Sequence, residues 1–448
     1  MKKIVLLFAI FAFNFASFTS VKAGGLMTNT NYHIAFDRMM ARGASSEVDA
    51  VYSNPAGLAW GHEGWQISFN VQKPFQYRNI EVALNQPYAA AVGFEQHKYK
   101  GKASANPFVP AFFGSYKHKN WAIGLMAGIV GSGGKCRYDE GVPMFAVPVR
   151  AMMTNNGFLP GSYNLDAFME GKQYIYGVQA NFTYKFNEHW SAAVGLRTNI
   201  YNGYSKGHVV ASIPTPAGAM EALNMQIDVD QKGVGFCPIL GLNYKLDRLT
   251  VAARYEFRSK LNIPNDTKTL SVSPAAVAAM VGPMAAPYQD GVKNRYDMPG
   301  LLSLAVGYEF IPGKFRGTLE YHWFDDKHAK MAGDRQDELK YGTQEVLVGL
   351  EYDVNKVVTV SAGAQRTDYG LKDSYQSNTS FACDSYSVGV GAAFNIVKGL
   401  RLNVGYFCSI YKDYTRDTNY NAGGTAIPVS ETYSRTNHVF GVGIDYKF

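Results

Sequence analysis

The chain of 448 residues has little charge, few cysteines and almost no net imbalance of sign. Charged residues are 18% of it, below the roughly 25% of ordinary globular domains. That scarcity argues against an ordinary soluble surface. The formal charge of +7 becomes +4 without Lys2, Lys3 and Lys22, and so small an excess does not point to nucleic acid. Beyond residue 23 no stretch holds the ~18 or more apolar residues that a spanning helix needs. There is no phosphate-binding Gly-Lys loop, so nucleotide coupling is not indicated, and no cofactor or metal is called for. The four cysteines are Cys136, Cys237, Cys383 and Cys408. An even number in an exported chain can mean bridges, but Cys383 shares parity with Ser385 and Ser387, and Cys408 with Val404 and Tyr406. They fall on opposite faces, which predicts free, mostly buried thiols.

What the chain has in abundance is aromatic residues, 14%, and strict alternation. Phe440, Val442, Ile444, Tyr446 and Phe448 share one face of the last segment, with Val439, Gly441, Gly443, Asp445 and Lys447 on the other. Period 2 with one apolar face is the pattern of a strand between lipid and a polar lumen. An aromatic carboxyl-terminal residue on such a strand resembles outer-membrane β-barrels, whose ends are read by the barrel-assembly machinery. At the other end, Lys2 and Lys3 precede an apolar run from Ile4 to Phe15, and Val21-Lys22-Ala23 offers a cleavage site. Residues 1–23 read as a secretory signal peptide. A chain with these features crosses a membrane only as a closed sheet, so the expectation is a Gram-negative outer membrane, with its lipid and lipopolysaccharide as surroundings.

Alternation predicts fourteen strands, near 64–80, 104–118, 119–133, 171–187, 188–212, 225–247, 248–264, 292–312, 313–328, 338–355, 356–369, 377–397, 398–415 and 430–448. Short turns alternate with longer segments at 81–103, 134–170, 213–224, 265–291, 329–337, 370–376 and 416–429. Short periplasmic turns and long extracellular loops are how such barrels are built. The fold class expected is therefore all-β, a 14-stranded antiparallel transmembrane β-barrel spanning residues 64–448. Residues 24–63 lack period 2. Ile34, Ala35, Phe36, Met39 and Met40 recur at helical spacing, with Gly43 as a C-terminal cap. A fourteen-stranded lumen is too wide for side chains alone to fill, so this segment is expected as a plug, or hatch.

The run Ser45-Ser46-Glu47-Val48-Asp49-Ala50-Val51-Tyr52-Ser53-Asn54-Pro55-Ala56-Gly57-Leu58-Ala59 resembles the hatch signature of the FadL family of outer-membrane transporters for fatty acids and other hydrophobic compounds. The family's Asn-Pro-Ala motif maps onto Asn54, Pro55 and Ala56, and Met298–Tyr308 resembles a family strand opening. The resemblance implies a hatch whose rearrangement connects a ligand cavity to an exit, and an inward kink of the third strand that opens the wall sideways. Gly128 and Gly131, with Gly133 and Gly134, make that strand a candidate for the kink. On physical grounds alone Asn-Pro-Ala-Gly is also a rigid turn.

The loops are apolar where a hydrophilic porin's would be polar. The loop after strand three carries Pro143, Met144, Phe145, Met152, Met153, Phe158 and Leu159. The loop after strand seven carries Pro274 to Val281, including Val277 and Met280, with Ser273 as N-cap and Pro274 at the first helical position. Thr215–Leu223 repeats that logic. These stretches cover one another as a lid or form a groove for a ligand, in which flexible methionines adapt to varied apolar shapes. Parity places Phe113, Met126, Arg197, Arg254, Glu256, Arg258, Arg316, Glu320, His322 and Arg401 in the lumen. Arg197, Arg254, Arg258 and Arg316 are candidates for a fatty-acid carboxylate or for ion pairs with lumen acids. The leading reading is passive uptake of hydrophobic molecules, fatty acids or hydrocarbons, with a hydrophilic-solute porin and a surface adhesin as alternatives. His322 and His438 stand apart, and no Ser or Cys nucleophile is placed beside either, so an enzyme is not expected.

Overall fold

The computed structural model describes residues 27, 28, 31–103, 108–275, 278, 286–422 and 424–448. Among these, eighteen β-segments form one antiparallel sheet. The sheet closes because the first strand, Gly64–Ala83, pairs with the last, Thr425–Lys447, in unbroken register from Gln66↔Lys447 to Ala83↔Ser430. Eighteen segments make fourteen barrel strands, since four strands are each broken in two. Strand two is Gln96–Ala103 and Val109–His118, and strand seven is Leu249–Glu256 and Asn262–Ser273. Strand eight is Lys293–Arg295 and Leu301–Ile311, and strand thirteen is Leu400–Tyr411 and Tyr414–Ala422. The unbroken strands three to six are Trp121–Tyr138, Asn164–Lys185, Trp190–Thr215 and Gly218–Leu246. Strands nine to twelve are Phe315–Phe324, Gln344–Asp353, Val358–Asp368 and Ser385–Val397.

The alternation sorts as expected. Phe69, Val178, Val194, Phe236, Leu319 and Val442 face outward and are exposed, while Ser68, Gln179, Asn181, Asn199, Ser387 and Asn403 are buried within. Trp65, Tyr184, Trp190 and Tyr308 ring the end with the short turns, where amphipathic aromatics meet a membrane interface. All four cysteines are free thiols, and all but the half-buried Cys408 are buried.

The structure corrects three expectations. Thr215–Leu223 is not a helix: Thr215 pairs with Gly218 and strands five and six run on as one long hairpin. Its alternation continues, and Pro216 with Ala217 forms a two-residue turn. Residues 416–429 likewise extend strands thirteen and fourteen, which pair up to Ala422↔Thr425. Gly43 is not the helix cap: the helix Ile34–Met39 is closed by Met40 at φ 67. A side chain at Gly43 would meet Glu320 and Ala305 at 2.7 Å, so this glycine is a point of close approach.

The segment from Asn31 to strand one lies inside the barrel. The helix Ile34–Met39 is buried on every side. It rests on glycines: Gly349, Gly363 and Gly389 are register neighbours on strands ten, eleven and twelve. Gly391, Gly405 and Gly441 continue the row across strands twelve, thirteen and fourteen. A Cβ on any of them would collide with Ile34, Asp37, Arg38, Met39 or Met40.

Candidate functional site

The Asn-Pro-Ala turn is docked on the inner wall. The Asn54 side chain accepts from the Ala56 N–H at 3.2 Å and donates to the Leu242 carbonyl at 3.1 Å. Pro55 starts the 3₁₀ turn Pro55–Trp60, where its missing N–H costs nothing. The wall donates back. Thr183 bonds the Pro55 carbonyl and Ser191 the Ala56 carbonyl, each at 2.8 Å, and Gln179 and Asn181 both reach the Val51 carbonyl.

Ion pairs hold the rest. Arg38, fully buried, bonds Glu351. Arg42 meets Asp49 at 2.6 Å and Glu47 at 2.8 Å, and Glu47 in turn holds Arg401 at 2.6 Å. The backbone N–H groups of Arg42 and Gly43 both donate to Glu320 at 2.8 Å, and His322 sits between Glu320 and Glu345 at 2.8 and 2.9 Å. Burial raises the Asp37 carboxyl well above the usual range, against a 2.6 Å hydrogen bond from Gln72. At the turn end, Arg42, Glu47, Lys245, Arg248 and Arg316 line a polar cavity of about 280 Å³.

The four arginines singled out from sequence are all engaged. Arg197 bonds Glu256, and Arg254 bonds the Tyr52 carbonyl and lies 3.1 Å from the same Glu256. Arg258, in the break of strand seven, bonds the His328 carbonyl with Asp297 at 3.8 Å. Arg316 pairs with Glu351 and with Asp353 at 2.8 Å.

At the loop end, Pro143–Asn155 is a helix. Its neighbours divide its residues between two apolar clusters. Met144 and Phe145 pack on Ile80, Val82, Cys136, Tyr138, Phe381 and Tyr433. Met153 is buried with Val209, Ala211 and Leu223, and Met152 and Phe158 pack against that group. Phe145 also lines an apolar cleft of about 80 Å³ with Met169, Val209, Met225, Ile227 and Leu270. Val277 and Met280 lie outside the described residues. Deeper, beneath this lid, Phe113, Met126, Ile129, Val130, Tyr174 and Ile175 form an apolar lumen cluster with Val51, Tyr52 and Leu58.

Beside that cluster the wall has a seam. Strand three carries two extra residues relative to strand four, with register shifts between Ile129 and Gly131 and between Ser132 and Gly134. The glycine-rich stretch is therefore doubly bulged, which bends a strand. Among the described residues, strand two pairs with strand three from His118↔Trp121 to Ala111↔Gly128, and again at Lys102↔Arg137 and Gly101↔Tyr138. Among the described residues, strand one pairs with strand two from Gly64↔Lys117 to Gln72↔Val109 and from Gln76↔Ala103 to Ala83↔Gln96. The Phe448 N–H bonds the Trp65 carbonyl, so odd residues of strand one bond strand fourteen and even ones strand two. Pro74 thus turns its missing N–H toward strand two, and by the same alternation Pro110 turns its own toward strand three.

This architecture is shared with solved structures. A Pseudomonas aeruginosa FadL homologue superposes with a TM-score of 0.65 at 17% identity, covering 95% of this chain and 100% of that one. The P. putida toluene transporter TodX gives 0.57 at 14% identity, covering 96% and 99%. The Ralstonia pickettii toluene transporter TbuX gives 0.53 at 11%, covering 95% and 99%. The fold is that of FadL-type barrels. No protein-family model and no curated protein matches the sequence.

Within the FadL-type fold, the residues that sequence reading missed are those lining the cleft on strands five, six and seven. A signal was present. The inward face of strand five is Arg197, Asn199, Tyr201, Ser205, and then turns apolar at Val209 and Ala211. A polar lumen face that becomes greasy marks the point where the strand leaves the lumen and meets the lid.

Proposed function

We propose that the chain is an outer-membrane channel for passive uptake of hydrophobic molecules, long-chain fatty acids foremost, with residues 24–63 as its hatch. The seam carries the reading. A doubly bulged strand three borders the buried apolar residues Ala111, Ile129 and Val130. Ligand enters through the apolar cleft under the Pro143–Asn155 helix, reaches the lumen cluster, and leaves sideways into the bilayer without crossing the polar turn end. An acyl chain gains about 0.8 kcal/mol per buried CH₂, which suffices for capture without fixed polar contacts. The known transport of toluene by proteins of this fold supports a hydrophobic cargo. The polar cavity at the turn end favours a second route, with release there after the hatch shifts.

The test is uptake of a fluorescent long-chain fatty acid by liposomes bearing the refolded barrel, with a variant lacking Val130 and Gly133. Deleting both restores one-to-one register with strand four and straightens the wall. Uptake by the parent and its loss in the variant support lateral exit. Unchanged uptake by the variant moves the exit to the turn end, and no uptake by the parent refutes the transport reading.

A further inference from the structure

Arg78 and Arg435 stand directly opposite each other on strands one and fourteen. Because odd residues of strand one carry the hydrogen bonds to strand fourteen, this is a non-hydrogen-bonded pair, the geometry that brings side chains closest. Like charges in that position are destabilising. Arg78 is only 5% exposed and Arg435 is half-buried. Among the described residues neither guanidinium has a carboxylate within 4.0 Å, and the undescribed residues contain no Asp or Glu. Arg78 Nε and Arg435 Nη1 are buried without any hydrogen-bond partner. The nearest acid along the same face, Glu431, is already held by Arg416, Asn378, Tyr420 and Tyr433. Toward the turn end the next inward pair, Gln76 and Asn437, is neutral and bonded to itself at 2.9 Å.

Every other lumen arginine described above is matched by an acid or a carbonyl. Here a buried and a half-buried cation each leave a donor unsatisfied with no carboxylate in reach, and a buried charge is costly unless paired. Its surroundings are those of an amphiphile's site. Arg435 lies over the Tyr411 ring at 4.7 Å, and Ile80, Cys136, Tyr138, Phe381 and Tyr433 form the apolar cluster alongside. On its other side Arg78 pairs with Gly101 of strand two, which has no side chain to offer.

The geometry points to an anion site: Arg78 and Arg435 together hold the carboxylate of an amphipathic acid whose alkyl chain lies against the neighbouring apolar cluster. This rests on the uptake reading and adds a head-group preference to it, for acids over neutral lipophiles. One carboxylate accepting from both guanidinium groups also weakens the cross-strand repulsion by offsetting one of the two positive charges.

The experiment is displacement of a fluorescent fatty acid from the refolded barrel by dodecanoate and, separately, by dodecanol. It is run on the parent, on Arg78→Gln with Arg435→Gln, and on Arg78→Lys with Arg435→Lys. Closure of each barrel is checked by its heat-dependent gel shift, and Arg435→Gln alone carries the test if the double variant does not close. In the parent the acid should displace better than the alcohol. The glutamine variants should lose that preference by about tenfold to a hundredfold while dodecanol binding is unchanged, and the lysine variant should keep most of it. An acid-to-alcohol ratio that is the same in parent and glutamine variants overturns the site and leaves hydrophobic uptake intact. Failure of the parent to bind either probe overturns both.

Discussion

Asn54 offers a direct way to loosen the 31–63 segment without touching the barrel. Its side chain makes two hydrogen bonds, one closing the turn at the Ala56 N–H and one reaching the wall at Leu242. Removing a cap of this kind costs about 1 kcal/mol, and losing the wall contact costs about another. Asn54→Ala should therefore favour undocking of the turn by about 2 kcal/mol, or roughly 30-fold in the open-to-docked ratio. The ion pairs of Arg38, Arg42 and Glu47 are untouched, so the segment should stay in the lumen while its 50–60 stretch opens more often. Hydrogen exchange should rise at Ala56 and Gly57 and remain unchanged across the strands. If hatch opening limits passage, liposome uptake should rise with it. Asn54→Asp, which keeps the acceptor for Ala56 and loses the donor to Leu242, should fall between. The hatch reading fails if exchange at the turn rises as expected while uptake stays at the parental rate. The docking account itself fails if exchange does not change.

Gly363→Val puts a side chain where the Met39 carbonyl now rests; overpacking of this kind costs about 1–3 kcal/mol. The barrel should still close, with the helix Ile34–Met39 unseated and the 31–63 segment open to added protease, and full protection would contradict the seating. Cys383 is buried and donates to the Tyr433 carbonyl at 3.6 Å, and burial pushes its thiol up to about 12. A maleimide at neutral pH should leave it unlabelled until the protein is unfolded, and any disulfide-linked peptide in the native protein would refute the free-thiol assignment. Asp326, in the loop after strand nine, has its carboxyl raised to about 6 by burial, with Asp325 and Glu345 adding to the rise and the Thr343 hydrogen bonds opposing it. A carboxyl raised in the fold contributes most at low pH and loses that contribution as pH climbs from its unfolded value of about 4 to about 6. Asp326→Asn should match the parent below pH ~4 and protect the 325–343 loop better from exchange above pH ~6; equal protection at both would sink the assignment.

The barrel was legible in the sequence because lipid and lumen impose opposite demands on alternate residues, and Gln179, Asn181 and Thr183 against Val178, Phe182 and Tyr184 state the rule outright. The onset of strand one at Gly64 and the docked Asn-Pro-Ala turn were legible too. The ends of strands were not. Thr215 and Pro216 read as the start of a helix, yet the alternation of Val209, Ala211 and Ile213 simply continues into a hairpin above the lipid level. The pairing of lumen charges was also hidden. Arg197 finds Glu256, 59 positions away, only because the register of strands five to seven brings them to the same height. Arg78 against Arg435 is invisible for the same reason, since their juxtaposition exists only once strand fourteen closes on strand one.

The glycines show how far such a reading could have gone. A barrel wall that faces only water or side chains has no need for glycine on its inner face. Here Gly349, Gly363 and Gly389, then Gly391, Gly405 and Gly441, sit on inward positions of consecutive strands and meet in register. In the linear sequence they look scattered, one or two to a strand. Laid side by side they form a ribbon without side chains across five strands, and only another backbone can fill the space it leaves. The helix Ile34–Met39 does so, close enough that a Cβ at Gly363 would strike the Met39 carbonyl and one at Gly405 would lie 2.8 Å from Asp37 Cβ. Such a seat is shaped for one occupant in one orientation. It ties the helix to strands ten to fourteen, while the Asn-Pro-Ala turn is tied to strands four to six. The segment is thus seated on the wall at both ends, and the span between Met40 and Val51 is held between them by the ion pairs of Arg42, Glu47 and Asp49 and by Glu320.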